Sequence, residues 1–175
     1  MVQLKKKCKM PIEIERRFIV QGNGWKELSV EMQELQQAYL STNFEDWVIR
    51  TRIINNQKSK LTLKKSAGLM TNHEFEYPIP LQDALSLWNL SKEKLIKNRY
   101  KLDLKPGQWF LDCFQGSNHP LVIAEVELSS ENEIVKIPNW CIHEITGIKK
   151  LSNAALAQLP ISDWPEKELQ SFNIQ

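Results

Sequence analysis

Residues 12–20 read Ile-Glu-Ile-Glu-Arg-Arg-Phe-Ile-Val, and the alternation in this stretch decides the fold. In a strand, side chains two residues apart face the same way. Glu13, Glu15 and Arg17 therefore share one face, while Ile12, Ile14 and Phe18 share the other, with Arg16 as the exception. Such a strand can be the solvent-facing edge of an ordinary sandwich. It can also turn its charged face into a wet cavity and pack its apolar face under other elements.

The rest of the chain favours the cavity. Strands are predicted at 36–41, 46–54, 60–65, 73–79, 95–104, 108–115 and 120–129, with turns near Thr42–Glu45, at Asn55-Asn56, near Gly68 and at Pro106-Gly107. The same parity rule puts Arg50 with Arg52, Thr62 with Lys64, Glu74 with Glu76, Lys97 with Arg99, and Glu125 with Glu127, while Asp112 faces away from Leu111 and Cys113. Like charges about 7 Å apart on one strand repel and add nothing to stability. Solvent-facing sheets mix Thr, Ser, Lys and Glu instead. Acid pairs on some strands and base pairs on others, repeated along the chain, describe the lining of a lumen.

Helices are predicted weakly at 25–34 and at 163–172. Apolar spacing marks another at 81–90, and 152–159 has Ser152 or Asn153 as its cap and Pro160 as its stop. About eight strands joined by short connections, with few helices, fit an α+β, mainly β architecture: a closed eight-stranded antiparallel barrel with peripheral helices. Residues 1–10 read as a flexible basic tail, 11–160 as the barrel domain and 161–175 as its C-terminal helical extension.

Bulk properties bound the partners. The 175 residues carry 42% hydrophobic and 25% charged side chains and a net charge of +2, which argues against a nucleic-acid partner. No apolar run approaches the ~20 residues that span a bilayer, and the N-terminal lysines lack a signal's apolar stretch, so no membrane partner is expected. Cys8, Cys113 and Cys141 are odd in number and lack metal or disulfide spacing, which fits a cytoplasmic setting.

The residue types define the chemistry. Carboxylates from several strands make a hard-oxygen site for Mg²⁺ or Mn²⁺. Arg and Lys from others match phosphate oxygens, Arg through its forked donors. A metal-bearing polyanion satisfies both.

At these residues the chain resembles the CYTH-domain family, the triphosphate tunnel metalloenzymes. Glu13-Ile-Glu15-Arg-Arg17 is similar to the family's E-x-E-x-K signature, with Arg in place of Lys. Arg50/Arg52, Thr62/Lys64, Glu74/Glu76, Lys97/Arg99/Tyr100, Trp109/Asp112, Glu125/Glu127, Glu144–Gly147 and Asn153–Ala157 follow in order. The resemblance covers about Pro11 to Pro160 and implies a tunnel that binds a triphosphate with divalent metal, most often to hydrolyse inorganic triphosphate. Adenylate cyclases share the site, and a non-catalytic triphosphate or polyphosphate binder is the further alternative. By carry-over, Glu13, Glu15, Glu125 and Glu127 hold metal. Arg17, Arg50, Arg52, Lys64, Lys97 and Arg99 grip phosphates. Arg17, Glu74, Glu76 and Asp112 serve the reaction. Two departures stand out. Arg17, a guanidinium, cannot activate water as a lysine can, and Asn72 stands where many relatives carry Arg.

Elsewhere the readings are structural. His73, His119 and His143 lack ligand spacing, Cys113 falls outside the charged face, and Trp88, Trp109 and Trp140 read as core. The segment after Pro160, with Trp164, reads as a tunnel-mouth cap or a homodimer contact.

Overall fold

A computed structural model describes residues 11–42 and 47–174. The N-terminal tail and most of the turn predicted near Thr42–Glu45 lie outside the described residues. Eight strands form the barrel: β1 (Ile12–Val20), β2 (Ser29–Thr42), β3 (Val48–Ile54), β4 (Lys58–Ser66), β5 (Thr71–Pro78), β6 (Lys94–Leu102), β7 (Gln108–Phe114) and β8 (Val122–Glu127). They run in the order β5-β4-β3-β2-β6-β7-β8-β1, and β1 returns to β5 to close the ring. A ninth strand, β9 (Cys141–Glu144), pairs with the second half of β1.

One expectation fails. Residues 25–34 are not a helix: a 3-10 turn spans Lys26–Leu28 only, and β2 begins at Ser29, opposite Leu102 of β6. Cross-strand pairing overrides a weak local preference there. At the predicted Pro106-Gly107 turn, Gly107 has φ +75°, and a Cβ would stand 2.6 Å from Glu127 O. Only glycine fits that turn.

Apolar side chains close one end of the barrel. Ile19, Tyr39, Leu95, Phe114 and Ile123 form a ring of buried groups at the inner end of the lumen. Helix α2 (Asn153–Gln158) and the 3-10 turn Lys149–Leu151 cap it with Leu151, Ala154 and Leu156. Ser152 Oγ accepts the Ala155 N–H at 3.2 Å and starts α2. Ile161, Trp164 and Ile174, around α3 (Glu166–Ser171), back the same cap, so Trp164 is plug core. A second core lies outside the barrel, where Phe18, Trp109, Leu111 and Val126 are covered by Trp25, Val135 and Trp140. Helix α1 (Leu81–Leu90) packs on β2, β3 and β4, with Ala84 fully buried and Trp88 half-buried.

Candidate active site

Residues opposite one another in antiparallel strands share a face. The register sets Glu15 against Glu127, Arg17 against Glu125, Lys64 against Glu74, Thr62 against Glu76, Arg99 against Asp112, and Arg50 against Tyr39. The sequence-predicted side chains therefore share the inner face of the barrel, and all but Lys97 and Asp112, which are buried within it, line the lumen. Arg16 is explained as well: it lies outside, paired with Glu144 at 2.9 and 2.7 Å and stacked over Phe18.

Two chambers of the lumen gather the charged side chains, and a further cavity of about 620 Å³, lined by Glu13, Glu74, Glu76 and Glu127, adjoins them. The outer chamber, about 570 Å³, opens at the unplugged end between Arg52, Glu76, Arg99 and Glu127. The inner one, about 310 Å³, lies against the plug and is lined by Glu15, Arg17, Arg50, Lys64 and Glu125. Glu13, Arg52 and Arg99 line both and form the neck between them. Lys97 and Asp112 line neither.

Acids and bases are interleaved. Lys64 contacts Glu13, and lies 3.3 Å from both Glu15 and Glu74. Burial, together with Glu15 and Glu74, pushes the Glu13 carboxyl up to about 7 against the pull of Lys64. Asn72 donates to Glu13 Oε2 at 3.4 Å. Arg50 lies 3.9 Å from Glu74, which is held below its usual range by Arg50 and Lys64 in spite of burial. Arg99 forks onto Asp112 at 2.8 and 2.7 Å and also contacts Glu125. The two carboxyls are depressed against burial, Arg99 acting most strongly on each. Lys97, fully buried, contacts Asp112 and donates to Asn153 Oδ1 at 3.2 Å. Burial pulls its ammonium down to about 7, with Arg99 pushing the same way and Asp112 opposing.

The signature-position arginine is spent on the protein. Arg17 Nε donates to Glu125 at 3.1 Å and Nη2 to Leu151 O at 3.0 Å, tying the barrel wall to the plug.

The donor set fits a hard divalent cation. Three carboxylates, Glu13, Glu15 and Glu74, converge on the ammonium of Lys64, with Arg50, 3.9 Å from Glu74, as the other cation beside them. Such a cluster is short of positive charge, and carboxylate oxygen is what Mg²⁺ and Mn²⁺ take. Among the described residues, no three His, Cys, Asp or Glu side chains already converge as a metal cage; Lys64 stands between the acids.

Sequence reasoning passed over several lumen residues. Lys60 and Lys101 flank the outer chamber, as do Gln33 and Phe110. Lys60 has the parity of Thr62 and Lys64, and Lys101 that of Lys97 and Arg99, so the pattern contained both. Gln37 and Tyr39 of β2 carry no charge and gave no signal. None of the three histidines lines either chamber, and Cys113 packs with the outer core.

A closed barrel that hides its charges inside, with acids and bases from separate strands facing one another across a neck, defines a class of tunnel proteins built to take a charged ligand into the lumen. The chain belongs to the CYTH domain family, whose model matches residues 11–156. It is 35% identical over 156 residues to an inorganic triphosphatase of Acetivibrio thermocellus, covering 88% of this chain and 98% of the relative. It is 35% identical over 149 residues to an inorganic triphosphatase of Nitrosomonas europaea, covering 83% and 96%. The crystal structure of an inorganic triphosphatase superposes with a TM-score of 0.60 at 30% identity, over 83% of this chain and 93% of that one. A Pyrococcus horikoshii protein shares the fold at a TM-score of 0.54 and 21% identity, over 67% and 80%.

Proposed function

We propose that the protein hydrolyses a triphosphate, with inorganic triphosphate as the substrate, inside the barrel and with the help of a divalent metal. The observation that carries this reading is the neck, where Arg52 and Arg99 face Glu13 between two chambers. Cation and carboxylate side by side suit a phosphate chain that brings a metal with it.

Position supports the following residue roles. Arg50, Arg52 and Lys64 bind phosphate oxygens from one side of the lumen, and Arg99 from the other. Glu13, Glu15 and Glu127 hold the metal, with Glu125, whose charge Arg17 and Arg99 already share, at its edge. Bound there, Mg²⁺ or Mn²⁺ supplies charge that offsets the negative charge on the leaving pyrophosphate and lowers the pKa of a coordinated water. Lys64 then has fewer carboxylates to satisfy and can turn to the phosphates. Glu74, on the strand beside that of Glu13, completes the metal set, and with Glu76 it orients the attacking water; both carboxyls are held below their usual range in spite of burial, Glu74 by Arg50 and Lys64 and Glu76 by Lys60 and Arg52. Lys97 and Asp112, walled off from the chambers, hold Arg99 and the α2 plug in place. Arg17 anchors Glu125 and ties it to the plug. Catalysis on this plan is positioning and electrostatics around an in-line displacement.

The test is release of phosphate from inorganic triphosphate, ATP and thiamine triphosphate, each with Mg²⁺, with Mn²⁺ and with EDTA. The reading expects metal-dependent phosphate release that is greatest from inorganic triphosphate. Cyclic AMP from ATP without free phosphate would replace it with a cyclase, and tight binding without turnover of any of the three would replace it with a binding module.

A further inference from the structure

The lumen cations are held in two different ways. Arg99, Arg17, Lys97 and Lys64 each touch at least one carboxylate, so part of their charge is already matched. Arg50 and Arg52 differ. Arg50 comes no nearer than 3.9 Å to Glu74, and the nearest carboxylate to Arg52, Glu76, stands 3.7 Å away and is itself drawn to Lys60 at 2.7 Å and Thr62 at 3.2 Å. The close partner of Arg52 is an amide. With the Gln37 oxygen turned toward it, the orientation in which both ends of the amide find partners, that oxygen accepts from Arg52 Nε at 2.8 Å and Nη2 at 3.1 Å. The amide nitrogen donates to Tyr39 Oη at 3.1 Å. Gln37 has no exposed surface, and Tyr39 is 4% exposed. Burial, with Arg50 and Arg99 nearby, pulls the Arg52 guanidinium down to about 10, as befits a cation without a matching anion.

We infer that Gln37 is a positioning residue for anion binding: its neutral amide, braced by Tyr39, fixes the plane of the Arg52 guanidinium at the neck without cancelling its charge. The inference rests on reading the lumen as a triphosphate site. A carboxylate at position 37 could hold the same edge of the guanidinium, but it would satisfy the charge that the ligand is meant to meet. An apolar residue would leave the charge and lose the orientation. An amide does neither, and a guanidinium whose hydrogen-bonding plane is preset loses less freedom when it captures a phosphate.

Two substitutions separate the two effects. Gln37→Leu removes the acceptor, and Gln37→Glu keeps it while adding a charge. Gln37→Leu is expected to raise KM for inorganic triphosphate about tenfold, the size of one lost hydrogen bond to a charged group, and Gln37→Glu to raise it by about as much for the other reason, the guanidinium charge being already matched, with kcat falling less than about threefold in each. Combined with Arg52→Lys, Gln37→Leu should add little to the effect of Arg52→Lys alone, because both act through one guanidinium. Side-chain ¹H–¹⁵N spectra supply a readout that needs no turnover: the Arg52 Nε–H signal, protected in the parent protein, should exchange away in Gln37→Leu while the other buried arginine signals and the thermal midpoint persist. Additive effects in the double variant, or an unchanged KM in a folded Gln37→Leu protein, would overturn the role. So would an Arg52 signal indifferent to residue 37. A parent protein that cleaves no triphosphate would instead sink the functional reading, and the spectra would still decide whether Gln37 holds Arg52.

Discussion

Arg16 and Arg17 are neighbours in sequence and opposites in structure. Arg16 pairs with Glu144 at the surface, where ion pairs contribute roughly 0–1 kcal/mol. Arg17 is 8% exposed and partners a buried glutamate and a backbone carbonyl. Removing one member of a buried pair strands the other, at about 3–5 kcal/mol. Arg17→Met should therefore lower the denaturant midpoint far more than Arg16→Met, a comparison that equilibrium unfolding of the two variants makes directly. Equal losses would mean that Arg17 is not the link between wall and plug. Lys97 carries a pH signature of its own. Its folded pKa, near 7, lies below that of an exposed lysine. Between the two values the unfolded chain binds a proton that the folded chain does not, so stability rises with pH across that window. Lys97→Met should flatten the rise measured by urea unfolding between pH 7 and 9.5; a rise unchanged by the substitution would assign it to other groups.

At the scale of elements, the inner chamber is bounded by the turn after β9 and the loop from β4 to β5. Gly147 in that turn has φ +75°, and a Cβ there would run into the side chain of Leu69. Leu69 is exposed and can move aside, so the backbone cost of roughly 1–2 kcal/mol should dominate in Gly147→Ala. Adding Leu69→Ala should then recover little of the loss in denaturant unfolding, whereas full recovery would make the clash its origin. The elements also explain what sequence could and could not reveal. Where the lumen face is charged, as in β1, β3, β5, β6 and β8, parity alone identified it, because like-charge pairs have no other good reason to recur. Strand β2 presents Glu31, Gln33, Leu35, Gln37 and Tyr39 toward the same lumen, and its first half passed for a weak helix because Glu31 and Glu34 fall on opposite faces and blur the alternation. The apolar ring under the plug was hidden for a related reason. Ile19, Leu95, Phe114 and Ile123 continue the parity of Arg17, Lys97, Asp112 and Glu125, so one face of each strand changes from charged to apolar partway along. A rule that assigns one character to each face does not see that change, and β9, four residues long, offered too short a pattern to read.

At the scale of the whole molecule, the barrel is a ring of unequal joins. β2 and β6 pair from Ser29–Leu102 to Ala38–Lys94. β1 and β5 pair over the short run Ile12–His73, Glu13–Asn72 and Ile14–Thr71, flanked by one backbone bond at each end, from Glu74 N–H to Pro11 O and from Glu15 N–H to Met70 O, because the second half of β1 is taken by β9. Short strand contacts open first. This join carries Glu13 on one strand and Glu74 on the other, both drawn to Lys64. A divalent ion seated among these acids would act as a clasp across the place where the ring breathes. Amide isotope exchange should accordingly be fastest, within the barrel, at Ile12–Ile14 and Thr71–His73, and Mg²⁺ should slow it there while leaving β2 and β6 unchanged. Exchange indifferent to the ion at that seam would place the metal elsewhere. If the clasp holds, loading the protein for chemistry and locking its cylinder shut are one event, and an unloaded molecule spends part of its time as an open sheet.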